Sequence, residues 1–291
     1  MTKARNLSLL STVEVAATTD QTKADLNAIG VSGGRKNLII NGRLGTNTMV
    51  NQRGFASGTL NDGDYGFDRW LSASGASVLA LNADDVTLTS GKLLQWIEAP
   101  HISGKQITVS AKVNSGTLTG RVGTGAIAFQ TLPFTITAPS GNLRLELVGN
   151  GSQFTDVQVE LGSVATDFEH RSYGEELALC QRYYYRLNVI ANQSLMIGNS
   201  LNTTSGFYTL ALPQPLRATP SVSISGFTNY RQRGGGVNVT TTVTLGTPHY
   251  TVGNSELEID ITVSSGLPNT IQTMVFTSTG STGYLDADSE L

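Results

Sequence analysis

The chain has 291 residues, of which 39% are hydrophobic and 14% charged, with a formal net charge of −3, 32 glycines and one cysteine. A small negative charge removes the electrostatic case for nucleic-acid binding, which needs a basic stripe. A lone Cys180 excludes an intrachain disulfide and reads as a buried small hydrophobe.

The length allows about two domains. At the N-terminus, Lys3 and Arg5 precede an apolar run, Leu7–Leu10, that is interrupted by Ser8 and too short for a secretory leader. No stretch reaches the length and apolarity of a membrane span. Residues 1–36 read as a separate unit. Thr18 or Thr19 is a helix cap, Ala24, Leu26, Ala28 and Ile29 form a thin apolar set, Gly30 is a stop, and Gly33–Gly34 is a hinge. So short a helix is marginal alone, which points to docking on copies of itself or on a larger assembly.

Residues 37–171 alternate with period two. "NLIINGRL" is expected as a buried strand ending at Asn41–Gly42. "QITVSAKV" (106–113), "NLRLELVGN" (142–150) and "FTDVQVELG" (154–162) are expected as half-buried antiparallel strands. Ser90–Gly91, Ser103–Gly104, Ser115–Gly116 and Ser140–Gly141 punctuate them as turns. This rhythm predicts an antiparallel β-sandwich of jelly-roll or immunoglobulin-like type.

Residues 159–187 break the pattern. Eight of these 29 residues are charged, and they include Tyr173, Tyr183, Tyr184, Tyr185 and Cys180. Ser172 and Glu175 fit a capping box, and Glu175 and Glu176 suit the positive end of a helix. Leu177, Cys180, Tyr184 and Leu187 form a narrow apolar stripe. A helix over 173–184 is predicted, within a connector spanning 172–187 whose tyrosines pack against β structure. Residues 188–291 then read as a second β-sandwich, with "LPQPLRATP" as a loop because proline cannot donate to a ladder. The predicted architecture is mainly β: a short N-terminal helical or extended segment, then two antiparallel jelly-roll-like sandwiches joined by a short helix.

The string "VQVELGSVATDFEHRSYGEELALCQRYYYRL" resembles a segment of bacteriophage tail-fibre, tail-spike and related receptor-binding virion proteins. The shared pattern is roughly Q-x-E-x-G-x-x-A-T-x-F-E-x-R-S followed by E-L-x-L-C-Q-R-Y-Y; a common version has Pro where Asp167 stands. "NLIINGRLGTNTMVNQRG…YGFDRW", "LPQPLRATPSVSISG" and the terminal "YLDADSEL" resemble flanking parts of the same proteins, so the likeness extends over most of 37–291. It implies a carbohydrate-binding-module-like sandwich, a homotrimer, and a virion protein made in the host cytoplasm. It also implies a non-enzymatic role in attaching the virion to a bacterial surface polysaccharide. Residues 1–36 would face other tail or baseplate proteins. The alternative is a purely structural tail or baseplate component.

Sugar recognition needs aromatic faces and planar polar side chains. Tyr65, Trp70, Trp96, Tyr230, Arg231, Arg233 and Tyr250 supply these types; for Trp70 and Trp96 a core position is the competing reading. Asp62, Asp64 and Asp68 have spacing that suits calcium but lack the EF-hand glycine and glutamate, and Asp68–Arg69 reads alternatively as a salt bridge beside Trp70. No nucleophile motif accompanies His101, His170 or His249, so no catalytic residue and no cofactor are assigned.

Overall fold

In a computed structural model, the described residues are 36–123, 127–190, 194–226, 229–232, 238–240, 243–245, 255–263, 272–276 and 282–291. The expectations for residues 1–35 lie outside this set. The chain is mainly β and divides into two compact units. The first comprises residues up to Thr48, Ser57–Gly63 and Ser72–His170. The second comprises Met49–Ala56, Asp64–Leu71 and Arg171–Leu291. The second unit therefore draws two short excursions from the part of the sequence whose alternation otherwise builds the first.

The first unit contains β1 (Gly58–Leu60), β3 (Ser77–Leu81), β4 (Val86–Ser90), β5 (Lys92–Ile97), β6 (Gln106–Ser115), β7 (Leu118–Val122), β8 (Gln130–Thr131), β9 (Phe134–Thr137), β10 (Leu143–Gly149) and β11 (Ser152–Leu161); the two-residue β2 (Leu71–Ser72) edges one sheet. Two antiparallel sheets result, in the orders β1-β3-β4-β11-β6-β9 and β2-β5-β10-β7-β8. Alternation decides which side chains fill the core, because successive side chains point to opposite faces. From the five-stranded sheet come Leu93, Ile97, Leu118, Val122, Leu143, Leu145 and Leu147; from the other come Leu79, Val86, Leu88, Ile107, Val109, Phe154 and Val159. Turns at Gly91 and Gly116 have φ of 88° and 76°, a region that favours glycine. β11 carries a bulge, with a register shift between Thr155 and Gln158 and Asp156 at φ 52°.

The expected strand "NLIINGRL" is instead an extended segment outside both ladders. Leu38 donates to the carbonyl of Val159 in one sheet, and Gly42 accepts from Val157, each at 2.8 Å. Ile40 exchanges two bonds with the buried amide of Gln95 in the other sheet, at 2.9 and 2.8 Å. Ladder pairing is thus replaced by bonds to both sheets, a choice that local alternation does not reveal. Gly42 is required here, since a Cβ would sit 2.3 Å from the Val157 carbonyl oxygen.

The long C-terminal part of the second unit begins with the helix α1 (Tyr173–Gln181). Ser172 Oγ accepts from the Glu175 N–H at 3.3 Å, and Glu175 accepts from the Ser172 N–H at 3.0 Å, which completes the capping box. The helix is shorter than the stripe suggested. Tyr184 and Leu187 lie in β12 (Tyr184–Val189), because that segment satisfies its backbone by pairing with β21 (Gly283–Asp288). The remaining strands are β13 (Ser194–Ser200), β14 (Ser205–Ala211), β15 (Ser221–Ser225), β16 (Asn229–Gln232), β17 (Asn238–Thr240), β18 (Val243–Leu245), β19 (Glu256–Val263) and β20 (Gln272–Phe276). They form a three-stranded sheet, β12-β21-β15, and a seven-stranded sheet, β17-β16-β20-β13-β14-β19-β18. Residues 212–220, with their three prolines, form the expected loop. Val189, Met196, Tyr208, Leu216, Leu257, Ile259, Ile261, Val263, Leu285 and Ala287 make one core.

Candidate functional site

The charged residues that stand out in the sequence serve two separate knots and one sheet face. The first knot lies in the first unit. Glu160 is buried and accepts from Gln158 Nε2 (2.9 Å), the Thr166 N–H (2.8 Å) and the Thr166 hydroxyl (2.5 Å). Gln158 in turn accepts from the Glu169 N–H at 2.9 Å, and Glu169 accepts from the Asn37 N–H at 2.6 Å. The motif from Gln158 to Glu169 therefore ties the chain after β11 back onto that strand. A buried carboxylate is tolerable only when its lone pairs are met in this way.

The second knot lies in the second unit and joins "NQRG", "YGFDRW", "CQRYYYR" and "YLDADSEL". The Arg53 guanidinium lies 3.7 Å from the centroid of the Tyr184 ring and 4.8 Å from that of Tyr65. It pairs with Asp288 at 3.0 Å and Glu290 at 3.5 Å. Arg69 pairs with Glu290 and lies over Tyr183 at 3.5 Å. Arg186 grips both oxygens of Asp286 at 2.6 Å and donates to the Arg53 carbonyl at 2.8 Å. Arg217 donates to the carbonyls of Ser289 and Glu290, and the Tyr65 hydroxyl donates to that of Leu291 at 3.2 Å. Asp68 accepts from the Gln52 N–H at 2.8 Å. Its carboxyl is pushed up to about 6, chiefly by burial. Burial also raises Glu290, the thiol of Cys180, and the hydroxyls of Tyr65 and Tyr184.

These contacts relocate several expected site residues. Trp70 is fully buried beside Phe67, with ring centroids 6.3 Å apart, so it offers no face to a ligand. Tyr65 is committed to Arg53 and the C-terminal carbonyl. Of the pair expected to form a salt bridge beside Trp70, Arg69 reaches Glu290 and Asp68 accepts from the backbone N–H of Gln52. Asp62 accepts from the Gly75 N–H at 3.0 Å and belongs to the first unit, whereas Asp64 and Asp68 belong to the second. Among the described residues no three acidic, His or Cys side chains gather as a metal site. Tyr230 and Arg231 lie in β16, and their side chains, with Arg233 and Tyr250, fall outside the described residues.

Of the expected sugar-binding residues, Trp96 lies half-buried on the side of the five-stranded sheet opposite its core, where Leu94 is buried and Lys92, Arg121 and Arg144 are partly exposed. Alternation places Lys92, Leu94 and Trp96 of β5 on the side opposite the core residues Leu93 and Ile97. The register aligns Trp96 with Arg144, Leu94 with Glu146, and Lys92 with Val148 on β10. Arg121 of β7 stands opposite Glu146. The Glu146 side chain is 0% exposed. Its Oε2 accepts from Arg121 Nε at 2.8 Å, and Arg144 Nη2 lies 2.8 Å from its Oε1 as a charge contact off the hydrogen-bonding angle. Arg121 also donates to the Ile127 carbonyl at 3.1 Å and lies 4.6 Å from the centroid of the Phe129 ring. Lys92 Nζ lies 5.6 Å from that centroid, and the Arg144 guanidinium 5.8 Å from that of Trp96. The result is a polar, cationic strip flanked by two partly exposed aromatic rings. Lys92, Arg121, Arg144 and Phe129 were not singled out in the sequence, although i, i+2 spacing in "RLE" with a period-two partner strand is the signal that carries the charged pair on β10.

Asp85 makes a different cluster in the same unit. Burial alone would raise its carboxyl. The side-chain amides of Gln153 (2.9 Å), Asn82 (2.7 Å) and Asn114 (2.7 Å) hold it below its ordinary value. Its oxygens are already engaged by the chain.

No protein family matches the sequence, and no curated protein does. Among solved structures, a Paenibacillus sp. cycloisomaltooligosaccharide glucanotransferase complexed with cycloisomaltoheptaose aligns at 12% identity with a TM-score of 0.19. The alignment spans 84% of this chain and 46% of that one, a likeness too slight to carry an argument about fold or activity.

Proposed function

We propose that this protein is a bacteriophage tail-fibre or receptor-binding protein that attaches the virion to a bacterial surface glycan without cleaving it. The observation that carries the reading is the side of the five-stranded sheet opposite its core, where the partly exposed Trp96 and Phe129 flank Lys92, Arg121 and Arg144. Aromatic rings beside planar hydrogen-bond donors are the side-chain types that hold sugar rings and their polar substituents. The resemblance of residues 157–187 and their flanks to virion receptor-binding proteins supports the same reading. A homotrimer, with residues 1–36 docked on other tail or baseplate proteins, would multiply weak single-site contacts. A purely structural role in the tail or baseplate is the second reading. It is favoured by the fact that Tyr65, Trp70 and the segments carrying the resemblance are spent on internal contacts.

The test incubates purified full-length protein with host cells and with extracted surface polysaccharide, alongside light scattering. Saturable binding to intact polymer by a trimer is expected. Release of reducing ends would make the protein an enzyme. Incorporation into virions without binding to cells or polymer would favour the structural role.

A further inference from the structure

Resting on that reading of the sheet face, the geometry points to a narrower ligand class: we propose that the face takes acidic glycans, whose sugar or polyol units carry a carboxylate or a phosphate. The whole chain carries a net charge of −3, yet this strip places Lys92, Arg121 and Arg144 around one carboxylate, that of Glu146. Glu98, just beyond the end of β5, is the next acid along that strand, and even with it the cations outnumber the acids three to two. The Glu146 side chain is completely covered, whereas those of Arg121 and Arg144 retain 13% and 22% exposure. A ligand therefore meets guanidinium edges rather than the carboxylate between them.

The cations have different duties. Arg121 is held by Glu146 and the Ile127 carbonyl and stacked on Phe129, so it fixes the floor and the aromatic wall. Arg144 has one charge contact, to Glu146, and its side chain keeps 22% exposure. Beside it, Trp96 offers a partly exposed ring. A guanidinium edge can grip both oxygens of a carboxylate or phosphate while the sugar ring stacks on the indole. Lys92 has no carboxylate partner among the described residues and lies four positions along the strand from Trp96. At about 3.3 Å per residue, that separation is roughly 13 Å, the reach of a short oligosaccharide rather than of one sugar. The face thus presents a fork with a stacking ring at one end and a point charge at the other, a spacing suited to a polymer with repeated negative charges.

The experiment measures binding of the full-length protein by calorimetry to polygalacturonate, poly(glycerol phosphate) and neutral dextran, at low and at physiological salt. The two acidic polymers separate the carboxylate from the phosphate source, and binding to either supports the proposal. Binding to an acidic polymer is expected to be at least about tenfold tighter than to dextran and to weaken with salt, because charge-assisted contacts dominate. Trp96→Ala and Lys92→Ala are expected to weaken it while leaving the melting curve nearly unchanged. Arg144→Gln is read only if it melts normally. Equal affinity for dextran and the acidic polymers, or no effect of salt and Lys92→Ala, would overturn the acidic class while leaving glycan attachment standing. Binding to host cells that Trp96→Ala and Lys92→Ala leave intact would overturn the site. Failure to bind cells or any polymer would overturn the attachment reading itself.

Discussion

Asp68→Asn tests whether the buried knot of the second unit behaves as its geometry requires. Asp68 is buried, accepts from the Gln52 N–H and has its carboxyl raised from 3.8 to about 6. Burial is the main cause; the hydrogen bond from the Gln52 N–H and then the charge of Arg53 oppose it, and Glu290 adds to it. Below 3.8 both folded and unfolded chains hold the proton, so the group costs nothing. Between 3.8 and about 6 the unfolded chain has released the proton and the folded one has not, so stability falls as pH rises. Above about 6 the folded carboxylate carries the full cost. The interval of about 2 pK units corresponds to about 3 kcal/mol. That is on the order of 10 °C in melting temperature for a unit of this size. Asn keeps an acceptor for Gln52 and cannot ionise. The Asp68→Asn variant should therefore lose this part of the decline between pH 4 and pH 7, whatever constant offset its amide introduces. Glu290 is also raised and remains in both proteins, so the difference between the two curves isolates Asp68. The assay is urea denaturation, or a thermal melt, at half-unit pH steps. Parallel curves for the two proteins across that window would refute the account.

Glu146→Gln should destabilise the first unit by about 3 kcal/mol, since it leaves Arg121 and Arg144 without their shared charge; a loss within error in urea titration would contradict the pairing. Glu290→Gln, like Asp68→Asn, should shed part of the decline in stability as pH rises above the ordinary carboxylate range, because burial raises that carboxyl despite the charges of Arg53 and Arg69. The readout is the near-ultraviolet signal of the tyrosines stacked beneath these guanidiniums, followed through denaturation. Ser172→Ala should cost about 1 kcal/mol by removing the cap of α1, visible as a lower denaturation midpoint with an unchanged slope.

Period-two alternation in "QITVSAKV", "NLRLELVGN" and "FTDVQVELG" was enough to place β6, β10 and β11, and it buries Val109, Leu143, Leu145, Leu147, Val157 and Val159, whereas Val113 and Leu161, which continue the same alternation, are exposed. The reason is local: a strand repeats every two residues, and burial of one face selects apolar side chains there. The capping box was equally legible, because its donors and acceptors lie within four residues of one another. The ends of elements that depend on distant partners were not. Helical spacing carried the stripe through Tyr184 and Leu187, but pairing with β21, about a hundred residues away, turns both into strand. "NLIINGRL" alternates like a strand, yet its partners are Val157, Val159 and the amide of Gln95. The charged motifs could be quoted from the sequence, but their purpose could not. Arg53, Arg69, Tyr183, Tyr184, Asp288 and Glu290 come from four separated stretches, and only folding brings the guanidiniums onto the rings and the carboxylates. In the same way, its aromatic side chain made Trp96 a candidate without saying which face it occupied. Antiparallel register, which depends on pairing between segments far apart in the chain, set it beside Arg144 and two positions from the buried Glu146.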